Sequence, residues 1–128
     1  MKRDWIYLSH EAVITIHEYL IERFGGMSGL RDEGLFDAAT EQPRQTFDGI
    51  DLYSTAEEKA ARYAYGIVNN HPFADGNKRT GAACIGMFLR LNGFRFKPRS
   101  MELYDTIIAV ADGSMEYEEL VAWIQAQL

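Results

Sequence analysis

No charged residue occurs between Gly81 and Leu89. This stretch lies within a longer segment, Lys78 to Asn92, whose spacing of apolar residues predicts a helix that stops at Gly93. A helix with no charged face must be buried on most of its sides. The rest of the chain therefore has to supply apolar faces around it, and this requirement favours an all-α bundle built on one central helix.

Five other segments carry helical signals: a capping residue followed by apolar residues three and four positions apart. The first ends at a Gly-Gly pair, and the second must end before a proline. The third opens with the capping-box pattern Ser-x-x-Glu. The predicted helices run from the cap Ser9 to Phe24, from about Asp32 to before Pro43, from the box Ser54–Glu57 to about Asn70, from Ser100 to Ala111, and from Ser114 to Gln127.

Two short segments interrupt this helical pattern. Thr46 to Ile50 contains an Asp-Gly pair, which predicts a small β-hairpin. Phe94 to Pro98 alternates apolar and basic residues like a short strand, but the proline breaks the pattern. We therefore expect a compact six-helix bundle with a buried central helix and at most a small β-hairpin.

The length and the cysteine content limit the organisation of the chain. A chain of 128 residues is expected to form one domain, residues 1–128. Cys84 is the only cysteine, which excludes an intramolecular disulfide and a Cys-rich zinc site, and its place in the central helix favours a packing role.

Met1 to Ile6 lack the apolar run of a signal peptide, and no stretch approaches the ~20 apolar residues of a membrane span. We expect a cytoplasmic protein with no membrane partner.

The charge of the chain is unevenly distributed. The formal net charge is −6, yet the segment from Gly76 to Met101 contains no acidic residue and these basic ones: Lys78, Arg79, Arg90, Arg95, Lys97 and Arg99. One positive segment on an acidic body predicts a local anion site and no direct binding of nucleic acid.

The segment from His71 to Arg79 lies between the predicted third and fourth helices. Pro72 and the pair Asp75–Gly76 oppose helix formation, so the segment is a shaped loop that leads into a helix N-terminus. Gly76 permits a positive φ angle and a close approach of a ligand to the backbone. Free amides at a helix start, with the helix dipole behind them, bind anions. This loop is therefore the predicted anion site.

The side chains of the same loop specify the anion further. Lys78 and Arg79 add two cations, and Asn77 either caps the helix or bonds a phosphate oxygen. A phosphate would repel Asp75 unless a divalent cation lay between them, and Mg²⁺ is held in this way by a carboxylate and substrate phosphates. His71 supplies an imidazole, which exchanges a proton near neutral pH. Together these groups predict phosphoryl or nucleotidyl transfer to a hydroxyl.

Each of these residues also has a purely structural interpretation. His71 alone fits a buried histidine bonded to the backbone, Asp75 a turn residue, and Asn77 a helix cap. Phe73 is favoured as a core anchor for the loop. Because all of them lie within nine residues beside the charge-free helix, we favour a functional site.

The sequence His-Pro-Phe-Ala-Asp-Gly-Asn-Lys-Arg, residues 71–79, resembles the signature of the Fic/Doc superfamily and of its death-on-curing (Doc) toxins. The general Fic pattern is His-x-Phe-x-Asp/Glu-Gly-Asn-Gly-Arg-x-x-Arg, and the matching positions are His71, Phe73, Asp75, Gly76, Asn77 and Arg79. Two further segments, Phe24 to Leu35 and Phe88 to Gly93, also resemble Doc-type proteins, so the likeness covers most of the chain.

Two departures from the general pattern indicate the Doc branch. Lys78 stands where Fic proteins have glycine, and Ala82 stands where they have a second arginine. Fic proteins transfer AMP, whereas the Doc branch shares the lysine, binds ATP in the reversed sense and acts as a kinase. The resemblance therefore implies ATP and Mg²⁺ as cofactors and a serine or threonine hydroxyl as acceptor.

The resemblance also implies a role for each site residue. His71 would be the general base, Asp75 would hold Mg²⁺, Gly76 and Asn77 would orient phosphate oxygens, and Lys78 and Arg79 would neutralise the charge that develops during transfer. It further implies a translation factor such as elongation factor Tu as protein target, a small antitoxin that covers the active site, and a substrate-facing flap at residues 46–50.

Three alternatives remain open at this point. AMP transfer retains the general Fic activity but fits Lys78 and Ala82 less well. A catalytically silent binding module would not need His71, Asp75, Asn77 and Arg79 together. Nucleic-acid binding conflicts with the acidic body.

Other candidate residues carry weaker signals. His10 and His17 share a helix face but are separated by about 10.5 Å of helix rise, too far for one metal ion, so we expect surface or core histidines. Five aromatic residues at helical spacing are expected in the core: Tyr63, Tyr65, Phe88, Tyr104 and Trp123.

Overall fold

The centre of the fold is the helix Asn77–Leu91, against which three other helices pack. In this computed structural model, which describes residues 3–128, the elements are α1 (His10–Phe24), α2 (Glu33–Glu41), a 3₁₀ turn (Gln42–Arg44), β1 (Thr46–Phe47), β2 (Ile50–Asp51), α3 (Ala56–Asn70), α4 (Asn77–Leu91), α5 (Ser100–Ala111) and α6 (Tyr117–Ala126). The predicted all-α class and the six helices are confirmed. Within residues 3–128, no helix combines the length and apolar character needed to cross a bilayer.

Helix α4 is buried as its charge-free run predicts. Cys84, Ile85, Phe88 and Leu89 are fully buried, and α3 supplies the most extensive packing surface. A Cβ atom added at Gly81 would lie 2.6 Å from the Val68 side chain on α3. The glycine therefore allows the two helices to approach closely.

Three helix starts differ from the predicted ones, that of α4 by one residue, at Asn77 instead of Lys78. Helix α3 is capped by Thr55, whose hydroxyl accepts from the Glu58 amide while the Glu58 carboxylate accepts from the Thr55 amide. Ser54 and Glu57 fit the same capping pattern one residue earlier, so the prediction of that box was wrong by one position. Both positions satisfy the local pattern. In the structure the Glu58 carboxylate accepts from the hydroxyls of both Ser54 and Thr55, and Thr55 is the residue that closes the box.

The start of α6 was also predicted wrongly, at Ser114. The Ser114 hydroxyl and the Met115 amide both bond the Ala109 carbonyl, so these residues close the end of α5. Helix α6 begins at Tyr117, with Glu116 and Glu119 forming its capping box. Helix α5 has the predicted bounds but lacks a side-chain cap.

The predicted hairpin forms, with Thr46 opposite Asp51 and Phe47 opposite Ile50. Its two turn residues, Asp48 and Gly49, both have positive φ angles of 53° and 77°, as a type I′ turn requires. Within the described residues, the segment 94–98 forms no strand. Its alternation buries Phe96 against the helices, but no neighbouring strand pairs with its backbone.

A buried lysine ties the hairpin to the helices. The Lys59 side chain on α3 is fully buried, and its ammonium donates to Tyr7 Oη at 2.9 Å, to Asp51 Oδ2 at 3.1 Å and to the Pro43 carbonyl at 3.4 Å. The N-terminal segment, the 3₁₀ turn and β2 therefore meet at one charged group.

Candidate active site

The loop 71–76 joins α3 to α4 and is held from one side by the segment between α1 and α2. Leu30 and Phe73 form an isolated antiparallel bridge, the Ala74 amide donates to the Gly29 carbonyl at 3.0 Å, and the Arg31 amide donates to the Pro72 carbonyl at 2.7 Å. Backbone hydrogen bonds therefore fix the loop against the segment Phe24 to Leu35, which also resembles Doc-type proteins.

His71 ends α3 in the left-handed conformation, with φ 48° and ψ 57°. The Arg31 guanidinium donates to the carbonyls of His71, at 2.7 Å, and of Asn70, at 2.8 Å, and so covers the end of the helix. The His71 imidazole is exposed and has no hydrogen-bond partner within residues 3–128. The interpretation of His71 as a buried histidine bonded to the backbone is therefore wrong.

Phe73 and Asn77 are the buried residues of the motif. Phe73 is 1% exposed and packs edge-on against Phe36, as expected for a core anchor. The Asn77 side chain pairs with the Phe73 backbone, accepting from its amide at 3.0 Å and donating to its carbonyl at 3.1 Å. The side chain of Asn77 therefore holds the loop and does not cap the helix, whose N-cap is Gly76.

Asp75 and Gly76 form the turn into α4. Gly76 has a positive φ angle of 76°, and a Cβ atom there would lie 3.1 Å from the Ile21 side chain. The exposed Asp75 carboxylate accepts from the Gly76 amide at 2.9 Å and from the Met27 amide at 3.3 Å. These bonds orient the carboxylate and leave lone pairs on both oxygens for another ligand.

The N-terminus of α4 presents free donors and two cations. The amides of Asn77, Lys78 and Arg79 have no acceptor within the described part of the chain. The Lys78 side chain is exposed, and the Arg79 guanidinium lies 4.5 Å from the centre of the Phe24 ring. Neither forms an ion pair among residues 3–128, so both cations are available to an anion.

The predicted site residues meet at one open pocket of about 350 Å³. Phe73 lies beneath it and does not line it. The lining residues are His71, Ala74, Asp75, Gly76, Asn77, Lys78, Arg79 and Tyr104. A base, a carboxylate, free amides and two cations therefore face one volume, which suits an anionic substrate.

Tyr104 was predicted as a core residue, and this was wrong. Its side chain on α5 is 58% exposed and lines the pocket. Its spacing along α5 does not distinguish it from the residues that α5 buries. It lines the pocket because α5 packs against α4, which brings it beside Lys78 and Arg79.

An apolar groove of about 330 Å³ adjoins the pocket and shares Lys78, Arg79 and Tyr104 with it. Its other lining residues are Leu20, Phe24, Ala82, Ser100, Leu103 and Ile107. Because Ala82 stands where the general Fic pattern has arginine, the groove keeps an apolar floor at that position.

Sequence reasoning missed two residues that organise the loop. Arg31 covers the end of α3, and His17 bonds the Asp75 carbonyl from beneath. His17 is fully buried, which confirms the expectation of a core histidine. No local pattern indicated these two contacts, because the partners lie 40 and 58 positions away in the chain.

Two other kinds of reactive site can be assessed from the described residues: a metal site built from several side chains, and a reactive cysteine thiol. Within residues 3–128, no three His, Cys, Asp or Glu side chains are arranged to hold a metal ion. Burial raises the pKa of the Cys84 thiol to about 12, so Cys84 packs the core and is no nucleophile.

Comparisons with known proteins agree with this geometry. The family model described as the Fic/DOC family matches residues 7–89. Toxin Doc of Mycolicibacterium smegmatis is 41% identical over 87 residues, which are 68% of this chain and 65% of that protein, so less than two thirds of its length is covered. Protein kinase doc of Escherichia phage P1 is 34% identical over 112 residues, 85% of each protein.

Proposed function

The chain belongs to the Fic/DOC family, and from this premise we propose that it transfers the γ-phosphoryl group of ATP to a serine or threonine hydroxyl of a protein target. One observation carries the proposal: the His71 imidazole and the first amides of α4, which have no partners among residues 3–128, face the same pocket as the cations Lys78 and Arg79. The name of the phage relative, Protein kinase doc, supports this choice of reaction.

His71 is the general base in this proposal. The acceptor hydroxyl oxygen attacks the γ-phosphorus, its proton passes to the His71 imidazole, and the bond to the bridging oxygen breaks to release ADP. The covered helix end and the loop bonds hold the histidine backbone while its side chain stays open to a protein substrate. Such an arrangement suits a bulky acceptor, because no group of residues 3–128 forms a hydrogen bond with the imidazole.

The N-terminus of α4 seats the transferred phosphoryl group. The amides of Asn77, Lys78 and Arg79 bind its oxygens, and the two side-chain cations neutralise the charge that spreads over them during transfer. Lys78, in place of the family's glycine, adds a positive charge at the position where phosphate oxygens sit. Ala82, in place of the second arginine, removes a clamp for further phosphates. Both departures favour a terminal phosphoryl group over AMP.

Asp75 is the residue that would hold Mg²⁺. Its carboxylate is exposed at the pocket, oriented by two amides, and is the only acidic side chain that lines this pocket among the described residues. One carboxylate with phosphate oxygens and water is a set of ligands that Mg²⁺ accepts. When bound, the ion supplies positive charge to the phosphates. The residues present therefore fit the ion.

We propose a growth-inhibiting role that follows from the target. The relative Toxin Doc carries the toxin name, and the resemblance implies a translation factor such as elongation factor Tu as acceptor. Modification of that factor would stop protein synthesis and would place the enzyme in the cytoplasm, where both ATP and the factor are present.

Transfer from two labelled forms of ATP tests the reaction. We expect label from the γ-phosphate, in the presence of Mg²⁺, to enter purified elongation factor Tu, and label from the α-phosphate to stay in solution. Incorporation from the α-phosphate would overturn the proposal in favour of AMP transfer. Incorporation from neither, with a His71→Asn variant equally toxic in cells, would favour a binding module.

We also propose that a small antitoxin controls the enzyme through the apolar groove. A segment with apolar side chains would fill the groove, and acidic side chains beside them would pair with Lys78 and Arg79 at its edge. Because the groove shares these cations with the pocket, an occupant would block the phosphate seat directly.

Substitution of two exposed aromatic residues on α1 tests whether an antitoxin binds in the groove. Phe24, 53% exposed, lines the groove, whereas Tyr19, 59% exposed, does not. We expect Phe24→Asp to weaken binding of a small protein that copurifies from the native host by about 10-fold or more, because the carboxylate loses its water in an apolar contact. Tyr19→Asp should bind like the unmodified chain. Equal loss in both variants would exclude the groove as the contact.

A further inference from the structure

His17 on α1 is a buried polar side chain near the pocket. It is fully buried, and its ring stacks on Phe73 with centres 3.8 Å apart and planes 8° from parallel. Its Nε2 lies 2.7 Å from the Asp75 carbonyl oxygen. Its Nδ1 is buried without a hydrogen-bond partner among the described residues. A buried polar atom without a partner is costly, so the position calls for an explanation beyond packing.

The geometry defines which ring nitrogen is the donor. A carbonyl oxygen only accepts hydrogen bonds, so Nε2 carries a hydrogen and donates it to the Asp75 carbonyl. Nδ1 lies 3.9 Å from the Glu18 carboxylate on the same helix.

This hydrogen bond orients the first peptide of the anion site. In a planar trans peptide the carbonyl and the amide hydrogen point to opposite sides. With the Asp75 carbonyl drawn inward to His17, the Gly76 amide points outward, where it donates to the Asp75 carboxylate at 2.9 Å. The same peptide leads into Asn77, the first residue of α4. One hydrogen bond thus orients the carboxylate and the helix start together.

We propose that His17 is a positioning residue for the transfer reaction: its Nε2–H fixes the Asp75–Gly76 peptide and thereby places the Asp75 carboxylate and the free amides of α4 in the pocket. The proposal rests on the function proposed above for its effect on rate, but the orientation of the peptide is independent of which group is transferred.

Two substitutions separate the hydrogen bond from the packing. His17→Phe keeps an aromatic ring for the stack on Phe73 but removes the donor. His17→Gln loses the ring but places an amide N–H close to the position of Nε2. A packing role predicts that activity follows stability, with the Phe variant the more active. A positioning role predicts the reverse order, with the Gln variant the more active.

We expect His17→Phe to unfold cooperatively and to transfer label at a kcat about 10²-fold lower, because a small misplacement of reacting groups has an effect of this size. His17→Gln should recover most of the kcat despite a lower stability. His10→Gln, on the same helix but outside the pocket, is the control and should leave kcat unchanged. If the Phe variant is as active as the unmodified chain, or more active than the Gln variant, the proposal is overturned.

NMR spectroscopy tests the proposal even if the chain shows no phosphoryl-transfer activity. Nitrogen NMR of the histidine rings should report a hydrogen on Nε2 of His17, and the amide resonances of Gly76 and Asn77 should shift in the Phe variant and return toward their original positions in the Gln variant. Unmoved amide resonances in the Phe variant would overturn the proposal. Absent transfer in the unmodified chain with these shifts present would overturn the proposed function alone.

Discussion

His71→Asn is expected to lower the rate of label transfer by about 10²- to 10⁴-fold, because the acceptor hydroxyl loses the group that takes its proton. Asparagine is the better substitution here than alanine. The residue has φ 48°, and asparagine adopts this left-handed conformation more readily than alanine. The loss then reports the missing base and not a distorted end of α3. Initial rates with ATP labelled on the γ-phosphate measure it.

The control for this variant is His10→Asn, the same substitution at an exposed histidine on α1 that does not line the pocket. It should transfer label at the original rate. A His71→Asn variant that keeps more than about a tenth of the rate, with an unchanged circular dichroism spectrum, would show that another group accepts the proton.

Asp51→Asn is expected to lower the free energy of unfolding by about 3–5 kcal/mol, because it leaves the ammonium of Lys59 buried without its counter-charge. The two remaining acceptors, Tyr7 Oη and the Pro43 carbonyl, are neutral. Since the total stability of a domain is about 5–15 kcal/mol, this loss is a large part of it. Urea unfolding monitored by circular dichroism measures the change.

A double-mutant cycle attributes this loss to the charge pair. Adding Lys59→Met to Asp51→Asn removes the stranded ammonium, so the double variant should be more stable than the sum of the single losses predicts, by about 1–3 kcal/mol. Asp37→Asn is the matched control, because Asp37 faces His10 in a pair that is 41% and 48% exposed. It should change stability by less than about 1 kcal/mol. Additive losses in the cycle would contradict a coupled buried pair.

The helix bounds predicted from local signals are correct where only one capping pattern was present. Helix α1 starts after Ser9 and ends at Phe24 as predicted, because the cap and the Gly-Gly stop are both local. At α3 two adjacent Ser/Thr-x-x-Glu patterns overlap, and the local pattern does not distinguish them; in the structure Thr55 and Glu58 form the box. Hydrogen bonds back to Ala109 likewise move the start of α6 away from Ser114. That residues 1–128 form one domain stays a prediction.

The candidate site also has features that the sequence predicted and features that it did not. The motif 71–79 was recognisable because its residues are adjacent and each carries its own chemical argument, and all of them except Pro72 and Phe73 line the pocket. The role of the Asn77 side chain was not predictable, because whether it meets a phosphate or the Phe73 backbone depends on how the loop closes. The roles of the individual residues in catalysis stay predictions for the experiments above.

The sequence by itself determined the buried central helix, the loop that leads into it and the charged and polar side chains that this loop carries. These properties depend on residues within one or two helical turns of each other, where charge, glycine and proline act directly on the backbone. The tertiary structure alone decided the rest: His17 beneath Asp75, Arg31 over the end of α3, and Tyr104 at the pocket. These contacts join residues distant in the chain, and only the packing of α1, α4 and α5 brings them together.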